Sequence, residues 1–362
     1  MTTTDSLWPR VAALPLRIDG YELEELSAEM ANGMVRLTIQ IRLLGAGQDG
    51  LGEDISPFPD DPDALRNAPA DLPLAGEWTL GSFCEQLATV DQWPAPPGWE
   101  AARLYRNWAF ESAALDLALR QAGRALHEVL AREPRPLTFV NSLGLGDPPS
   151  TETIHRRLAN HPDVHFKLDA AAAWTLAVCE DLAATGAVDV VDFKGQYGMD
   201  VEDASALAAM YERVVATFPG AILEDPHDLT EIAEPLAPHT GRVSYDALIH
   251  SVADLATTPV NPIRTVNIKP CRTGGLRALL ALYAHCETEG IRMYGGGMGE
   301  NGVGRGQIQL LAAIFHPDGP NDVAPSPFNA ADPPADLPSS PLPPRPEATG
   351  FRRAAEAGAG SS

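Results

Sequence analysis

The chain has 362 residues, and 49 Asp and Glu against 26 Lys and Arg give a formal net charge of -23. That balance argues against nucleic acid and anionic membrane as partners; it leaves an anionic substrate open, because a bound metal and local lysines set the sign of a site. No run of eighteen apolar residues predicts a transmembrane helix. The first residues, MTTTDSLWPR, show no secretory pattern, and the four cysteines have no CxxC spacing, which together predict a cytoplasmic protein with reduced thiols.

In chain order, residues 15–60 alternate like antiparallel strands: PLRIDGYELEEL, then GMVRLTIQIRLLG, then LGEDISPF. A loop rich in Pro and Asp follows at 57–73. From Leu74 to about Arg132 the pattern is helical, with ESAALDLALRQAGRALHEVL carrying apolar spacing of three and four. Eight short apolar runs come next: PLTFVNSLGLG, VHFKLDA, VDVVDFKGQY, AILEDP, RVSYDAL, TVNIKP, IRMYGGG and NDVAPSPF. Amphipathic stretches such as VEDASALAAMYERVVATF and GGLRALLALYAHCETEG separate them. From Pro325 onward proline is dense and the end is AAEAGAGSS, a composition that builds no core and predicts an extended strap or a disordered tail.

Four charged residues recur through this second region: Asp192, Glu224, Asp246 and Lys269, spaced by 32, 22 and 23 residues. Each closes a short apolar run, with a helical pattern before the next. This is the rhythm of a parallel sheet wound from strand–helix units. In a closed barrel the C-terminal strand ends converge on one solvent-facing mouth. Three carboxylates on successive strand ends form a hard oxygen site suited to Mg2+, and Lys269 follows beside it. Asp225 and Asp228 flank Glu224, either supporting it or simply exposed. His227, His239 and His250 read as surface residues. Cys271 lies close to Lys269 in sequence.

The LEDP of Glu224, the SYD of Asp246 and the IKPCRTGG of Lys269 resemble the enolase superfamily, in the branch of mandelate racemase, muconate lactonizing enzyme and o-succinylbenzoate synthase. GGGMGENGVG (295–304), with Glu300, resembles that family's seventh-strand segment, and WAFESAALDLALRQAG (108–123) its helix leading into the barrel. The resemblance implies an α/β fold: a (β/α)7β-type modified TIM barrel at 135–330 behind an N-terminal α+β capping domain at 1–134, with 331–362 as the strap or tail. It implies Mg2+, with Mn2+ as an alternative, held by Asp192, Glu224 and Asp246, and Lys269 as an acid/base. It also implies a small carboxylic acid as substrate, specificity set by loops such as 27–34 and 50–60, and a homo-oligomer.

Two departures from the family pattern stand out. Where the family has Lys-x-Lys on strand two, this chain has Lys167-Leu168-Asp169, so either Asp169 replaces the usual base or, with a register slip of two, Lys167 is that base. Where the family has Asp-x-Asn on strand three, it has Asp192-Phe193-Lys194. Residues two apart on a strand share a face, so Lys194 brings a second ammonium toward the site, or forms a structural pair with Asp169. A register with Asp169 as the metal ligand leaves a whole strand and helix before Glu224, which the spacing disfavours. Glu300 either orients a lysine, binds substrate or holds its loop.

The implied reaction removes the proton α to a carboxylate through an enediolate, a step that needs a Lewis acid and a lysine of lowered pKa. Racemisation or epimerisation follows from two bases on opposite faces, elimination or cycloisomerisation from one. The lost Lys-x-Lys favours a lyase or cycloisomerase, and an ammonia lyase of the methylaspartate type stays in view. The alternative is a barrel that binds a metal or carboxylate without turnover.

Overall fold

The computed structural model describes residues 7–30, 33–57, 63–198 and 203–354. Strands β1 (Pro15–Ile18), β2 (Gly20–Glu29), β3 (Val35–Gly45), β4 (Gln48–Asp54) and β5 (Gly76–Thr79) make up the N-terminal part. β2, β3 and β4 form an antiparallel meander, and β1 pairs with β5. The alternation of apolar residues along β3 drives this: Leu37, Ile39, Ile41 and Leu43 are all buried, on one face of the strand. β5 and a short helix at Trp8–Ala12 carry too few residues for periodicity to show, and the sequence pattern missed both.

The long helix Ala102–Gln121 lies across the meander. Its Ala- and Leu-rich sequence favours helix, and Phe110, Ala113, Leu117 and Ala118 are sealed from solvent. The approach is close enough to require glycine on the strand. A Cβ on Gly52 would stand 2.0 Å from the carbonyl oxygen of Ala109.

Seven parallel strands follow: β6 (Val140–Gly144), β7 (His165–Asp169), β8 (Val188–Asp192), β9 (Ile222–Glu224), β10 (Val243–Tyr245), β11 (Thr265–Ile268) and β12 (Arg292–Gly295). Their order in the sheet is their order in sequence. The expected eighth run, NDVAPSPF, supplies two bridges in place of a full strand: Asn321 pairs with Phe139 beside β6, and Asp322 with Gly296 beyond β12. The sheet therefore closes into a barrel. The side chain of Asn321 does much of the joining. Its oxygen accepts from the Gly295 N–H at 2.6 Å and faces His316 Nδ1 at 2.7 Å; its nitrogen donates to the carbonyls of Thr138, His316 and Gly319 at 2.9–3.0 Å.

Beyond the barrel, Leu342 exchanges backbone hydrogen bonds with Leu137, and Phe351 is fully buried. Asp116, on the long helix, accepts from the Phe351 N–H at 2.7 Å and from Arg352 Nε at 2.6 Å. The proline-rich segment up to residue 354 is thus an extended strap running from the barrel back to the helix over the meander. Residues 355–362, the AEAGAGSS end, lie outside the described part. Among the described residues no helix is long and apolar enough to cross a membrane.

Candidate metal and proton-transfer site

The parallel register sets one row of residues across the strand ends: Gly144, Asp169, Asp192, Glu224 and Ser244. Asp192 and Glu224 are the last residues of β8 and β9; Asp246 and Lys269 each follow the last residue of β10 and β11. All four point into the barrel and converge. The three acids are fully buried rather than solvent-facing, and Lys269 is 5% exposed.

Lys167 and Asp169 share the inward face of β7, but at different depths. The Lys167 ammonium sits between two of the expected ligands, touching Glu224 Oε1 and standing 3.0 Å from Asp192 Oδ2, with Asp322 Oδ2 at 3.8 Å. It is sealed from solvent. Asp169 is nearer the mouth and pairs with Lys194 at 3.2 Å. Lys194 also reaches Asp192, and its backbone N–H donates to Asp192 Oδ1 at 3.0 Å. Its φ of +54° lies in the left-handed region, a strained conformation for a residue with a Cβ. Its side chain is 30% exposed, against 1% for Lys167 and 6% for Lys269. Lys269 approaches from the other side, 2.7 Å from Asp246 Oδ2. The glycine run of β12 makes room for it: a Cβ on Gly296 would come within 2.5 Å of Lys269 Cε.

Several residues that the sequence did not single out complete the site. Arg272, one turn past Lys269, holds Asp246 Oδ1 at 3.2 Å and donates to Tyr197 Oη at 2.7 Å. Asn267 and Tyr294 donate to Glu224, and Ser244 shares a 2.6 Å hydrogen bond with Tyr294. Asp225, left open by the sequence, is buried and its carboxylate accepts from the backbone N–H of Asp246 at 2.8 Å and of Ala247 at 3.0 Å. A signal existed for Arg272 in its spacing from Lys269; Asn267 and Tyr294 look like ordinary strand residues.

The electrostatics follow from burial. Desolvation and the surrounding acids push Glu224 up to about 8, against the pull of Lys167. Burial also works against Asp192 and Asp246, but the lysines and Arg272 overcome it, lowering Asp192 and bringing Asp246 down to about 2. Burial alone would depress Lys269; Asp246 reverses this and raises it. Among the described residues six carboxyl groups (Asp169, Asp192, Glu224, Asp225, Asp246, Asp322) face four cations (Lys167, Lys194, Lys269, Arg272), so the cluster is two positive charges short once all six are ionised, and the raised Glu224 registers that shortage. Oxygens of Asp192, Glu224 and Asp225 lie within 4.8 Å of one another. This all-oxygen donor set fits a hard divalent ion. Asp225 is already committed to the β10 turn, whereas Asp246 Oδ1 has no hydrogen bond and only the Arg272 charge beside it.

Other candidates fall elsewhere. Glu300 pairs with Arg305 at 3.2 Å and accepts from the Met298 N–H at 2.9 Å, which holds its own loop. Cys271 is buried and its thiol is pushed up to about 12, so no thiolate forms near neutral pH. Of the three histidines expected at the surface, all are half-buried: His227 meets Tyr211 Oη at 3.0 Å and His250 the Arg272 carbonyl at 3.0 Å.

The chain matches the family described as "Domain of unknown function (DUF8230)", its N-terminal domain over residues 9–129 and its C-terminal domain over 133–330, and it belongs to that family. No curated protein matches it. Among solved structures it is similar to a dipeptide epimerase from Methylococcus capsulatus in complex with Mg ion (20% identity, 87% of this chain and 92% of that one, TM-score 0.67). It is also similar to a muconate cycloisomerase from Pseudomonas fluorescens (18% identity, 85% and 87%, TM-score 0.65) and a probable mandelate racemase from Alicyclobacillus acidocaldarius (22%, 84% and 85%, TM-score 0.60). The fold is that of the enolase superfamily, a capping α+β layer over a modified barrel.

Proposed function

We propose that this protein is an enzyme that removes, and in some reactions returns, the proton α to the carboxylate of a small acid. One observation carries the reading: six carboxylates, four of them buried, and four cations converge beneath one cavity, two positive charges short among the described residues when every carboxylate is ionised. Asp192, Glu224 and Asp246 would hold Mg2+ or Mn2+, as the Mg complex of the similar dipeptide epimerase suggests. When bound, the ion would act as a Lewis acid that makes the α-proton easier to remove.

The chain's own residues divide the remaining work. Lys269 is the proton-transfer group on the β11 side, held ready by Asp246 and free to move once that carboxylate is shared. Lys194 is its counterpart on the β8 side, and Asp169 orients it. Lys167, at the floor of the cavity, is held between Asp192 and Glu224 and serves as their internal counter-ion. Asn267 and Tyr294 fix the Glu224 carboxylate. Two cavity-lining lysines on different sides, Lys194 and Lys269, favour racemisation or epimerisation over the single-base outcomes expected from the altered strand two. The same reading divides the chain into a capping domain (1–134), a barrel (135–330) and a strap (331–362).

The test is solvent exchange. The protein with Mg2+ is incubated in D2O with a panel of α-substituted carboxylic acids, including dipeptides, and mass spectrometry reads deuterium at the α-carbon. Incorporation that EDTA abolishes supports the reading. A specific observation favours the non-catalytic alternative: the Lys167 ammonium already fills the space between Asp192 and Glu224. Metal or carboxylate binding with no exchange on any member of the panel would decide for that alternative.

A further inference from the structure

Above the converging lysines lies a cavity of about 330 Å3, roughly the volume of eleven waters. Its charged lining runs opposite to the protein's net charge: Lys167, Lys194, Lys269, Arg305 and Arg36 against Asp322. Four of these five cations have a carboxylate partner: Asp192 for Lys167 at 3.0 Å, Asp169 for Lys194 at 3.2 Å, Asp246 for Lys269 at 2.7 Å and Glu300 for Arg305 at 3.2 Å. Arg36, on β3 of the capping layer, has none among the described residues. Its two terminal nitrogens donate to neutral carbonyls, Pro57 at 2.7 Å and Ile55 at 2.5 Å, with Met298 at 3.4 Å.

The nearby acids are committed elsewhere. Glu53 accepts from Thr38 Oγ1 and from the N–H groups of Asn301, Gly302 and Gly304. Asp54 pairs with Arg106 at 2.8 Å, and Glu300 with Arg305. Burial without an ion partner disfavours the Arg36 charge and lowers its pKa, while those acids act on it only at longer range. A half-buried guanidinium with a free Nε, facing a cavity and lacking a counter-ion, is a seat for an anion.

We propose that Arg36 is a specificity-determining residue that takes a second anionic group, so that the substrate is a short dianionic acid. This rests on the reading above for the first carboxylate, which the barrel mouth would hold. Arg36 enters from the capping layer, and its guanidinium touches the β12 loop at Met298, so the second group sits where the two layers meet. A monocarboxylate would leave Arg36 without its partner.

The test compares straight-chain dicarboxylates, succinate to suberate, with monocarboxylates of equal length, by titration calorimetry in Mg2+. The wild type should bind at least one dicarboxylate about tenfold or more tightly than its monocarboxylate counterpart, the range expected of a hydrogen bond to a charged group. Arg36→Met should erase that difference without weakening monocarboxylate binding, and Arg36→Lys should keep part of it. A purely structural Arg36 would weaken both classes together, or neither. Equal affinities in the wild type, no binding of either class, or an Arg36→Met protein that keeps the preference would overturn the proposal. If Arg36→Met does not fold, the wild-type comparison and Arg36→Lys decide. Because no turnover is involved, a protein that prefers dicarboxylates but exchanges no deuterium keeps this inference and loses the catalytic one.

Discussion

Lys167→Met is the substitution on which the site reading is most exposed. Methionine keeps nearly the length of the side chain and removes only the ammonium. In the wild type that ammonium is in contact with Glu224 and 3.0 Å from Asp192, all of them sealed from water. Removing one partner of a buried ion set costs about 3–5 kcal/mol. Two features moderate this: Asp192 keeps Lys194, and Glu224, already pushed up to about 8, takes up a proton near neutral pH. A loss of about 3 kcal/mol in EDTA is therefore expected. Mg2+ should narrow this gap by about 1.4 kcal/mol without closing it. With one positive charge gone from among the donor oxygens, the variant should bind Mg2+ at least about tenfold more tightly, equivalent to about 1.4 kcal/mol. At about 100 times the Kd, bound ion returns about 2.7 kcal/mol of stability. Urea unfolding in EDTA and across a Mg2+ titration measures both quantities. A variant as stable as the wild type in EDTA, with the same Mg2+ dependence, would show that Lys167 does not occupy the cation seat.

Lys269→Arg keeps a positive charge beside Asp246 but cannot act as a base; deuterium exchange should fall by about 100-fold or more, with little change in melting temperature, and near-normal exchange would remove Lys269 from the mechanism. At Lys194 the backbone strain gives a separate handle: Lys194→Gly should be no less stable than Lys194→Ala, although glycine ordinarily costs about 0.5–1 kcal/mol relative to alanine, and both should impair exchange. Asn321→Ala removes the acceptor of the Gly295 N–H and the partner of His316, so it should lose about 2–4 kcal/mol by urea titration; a change under about 0.5 kcal/mol would mean that the barrel closes without that side chain. Burial holds His316 down at about 4, against the opposing hydrogen bond to Asn321. The unfolded chain therefore binds a proton that the folded one refuses, and the contribution present above about pH 6.5 is lost as pH falls toward 4, about 3 kcal/mol in all. Wild type and His316→Asn should differ in that window, and parallel pH–stability curves would contradict the assignment.

What the sequence by itself determined was the path of the chain. Strand-length apolar runs separated by helical patterns can be satisfied by few architectures, and the placement of Asp192, Glu224, Asp246 and Lys269 at run ends followed from local pattern alone. The period of two along a strand likewise placed Lys167 with Asp169 on a shared face; it does not extend to Lys194, which lies past the end of β8 in the left-handed region and still reaches Asp192. Depth and partnership were decided only by the tertiary structure. Strand-to-strand register, which no single run encodes, sets Lys167 below the row of acids and Asp169 level with Asp192, so the lysine is buried against Asp192 and Glu224 and the aspartate lies nearer the mouth. The same holds for β5 and the eighth strand. Four residues of β5 are too short for a pattern, and the two-residue closure at Asn321 and Asp322 depends on neighbours drawn from β12 and from the segment before β6. Arg36 is the plainest case. On β3 it reads as one of the polar residues of an alternating strand, and its lack of an ion partner among the described residues arises because folding carried Glu53, Asp54 and Glu300 to another cation or to backbone N–H groups.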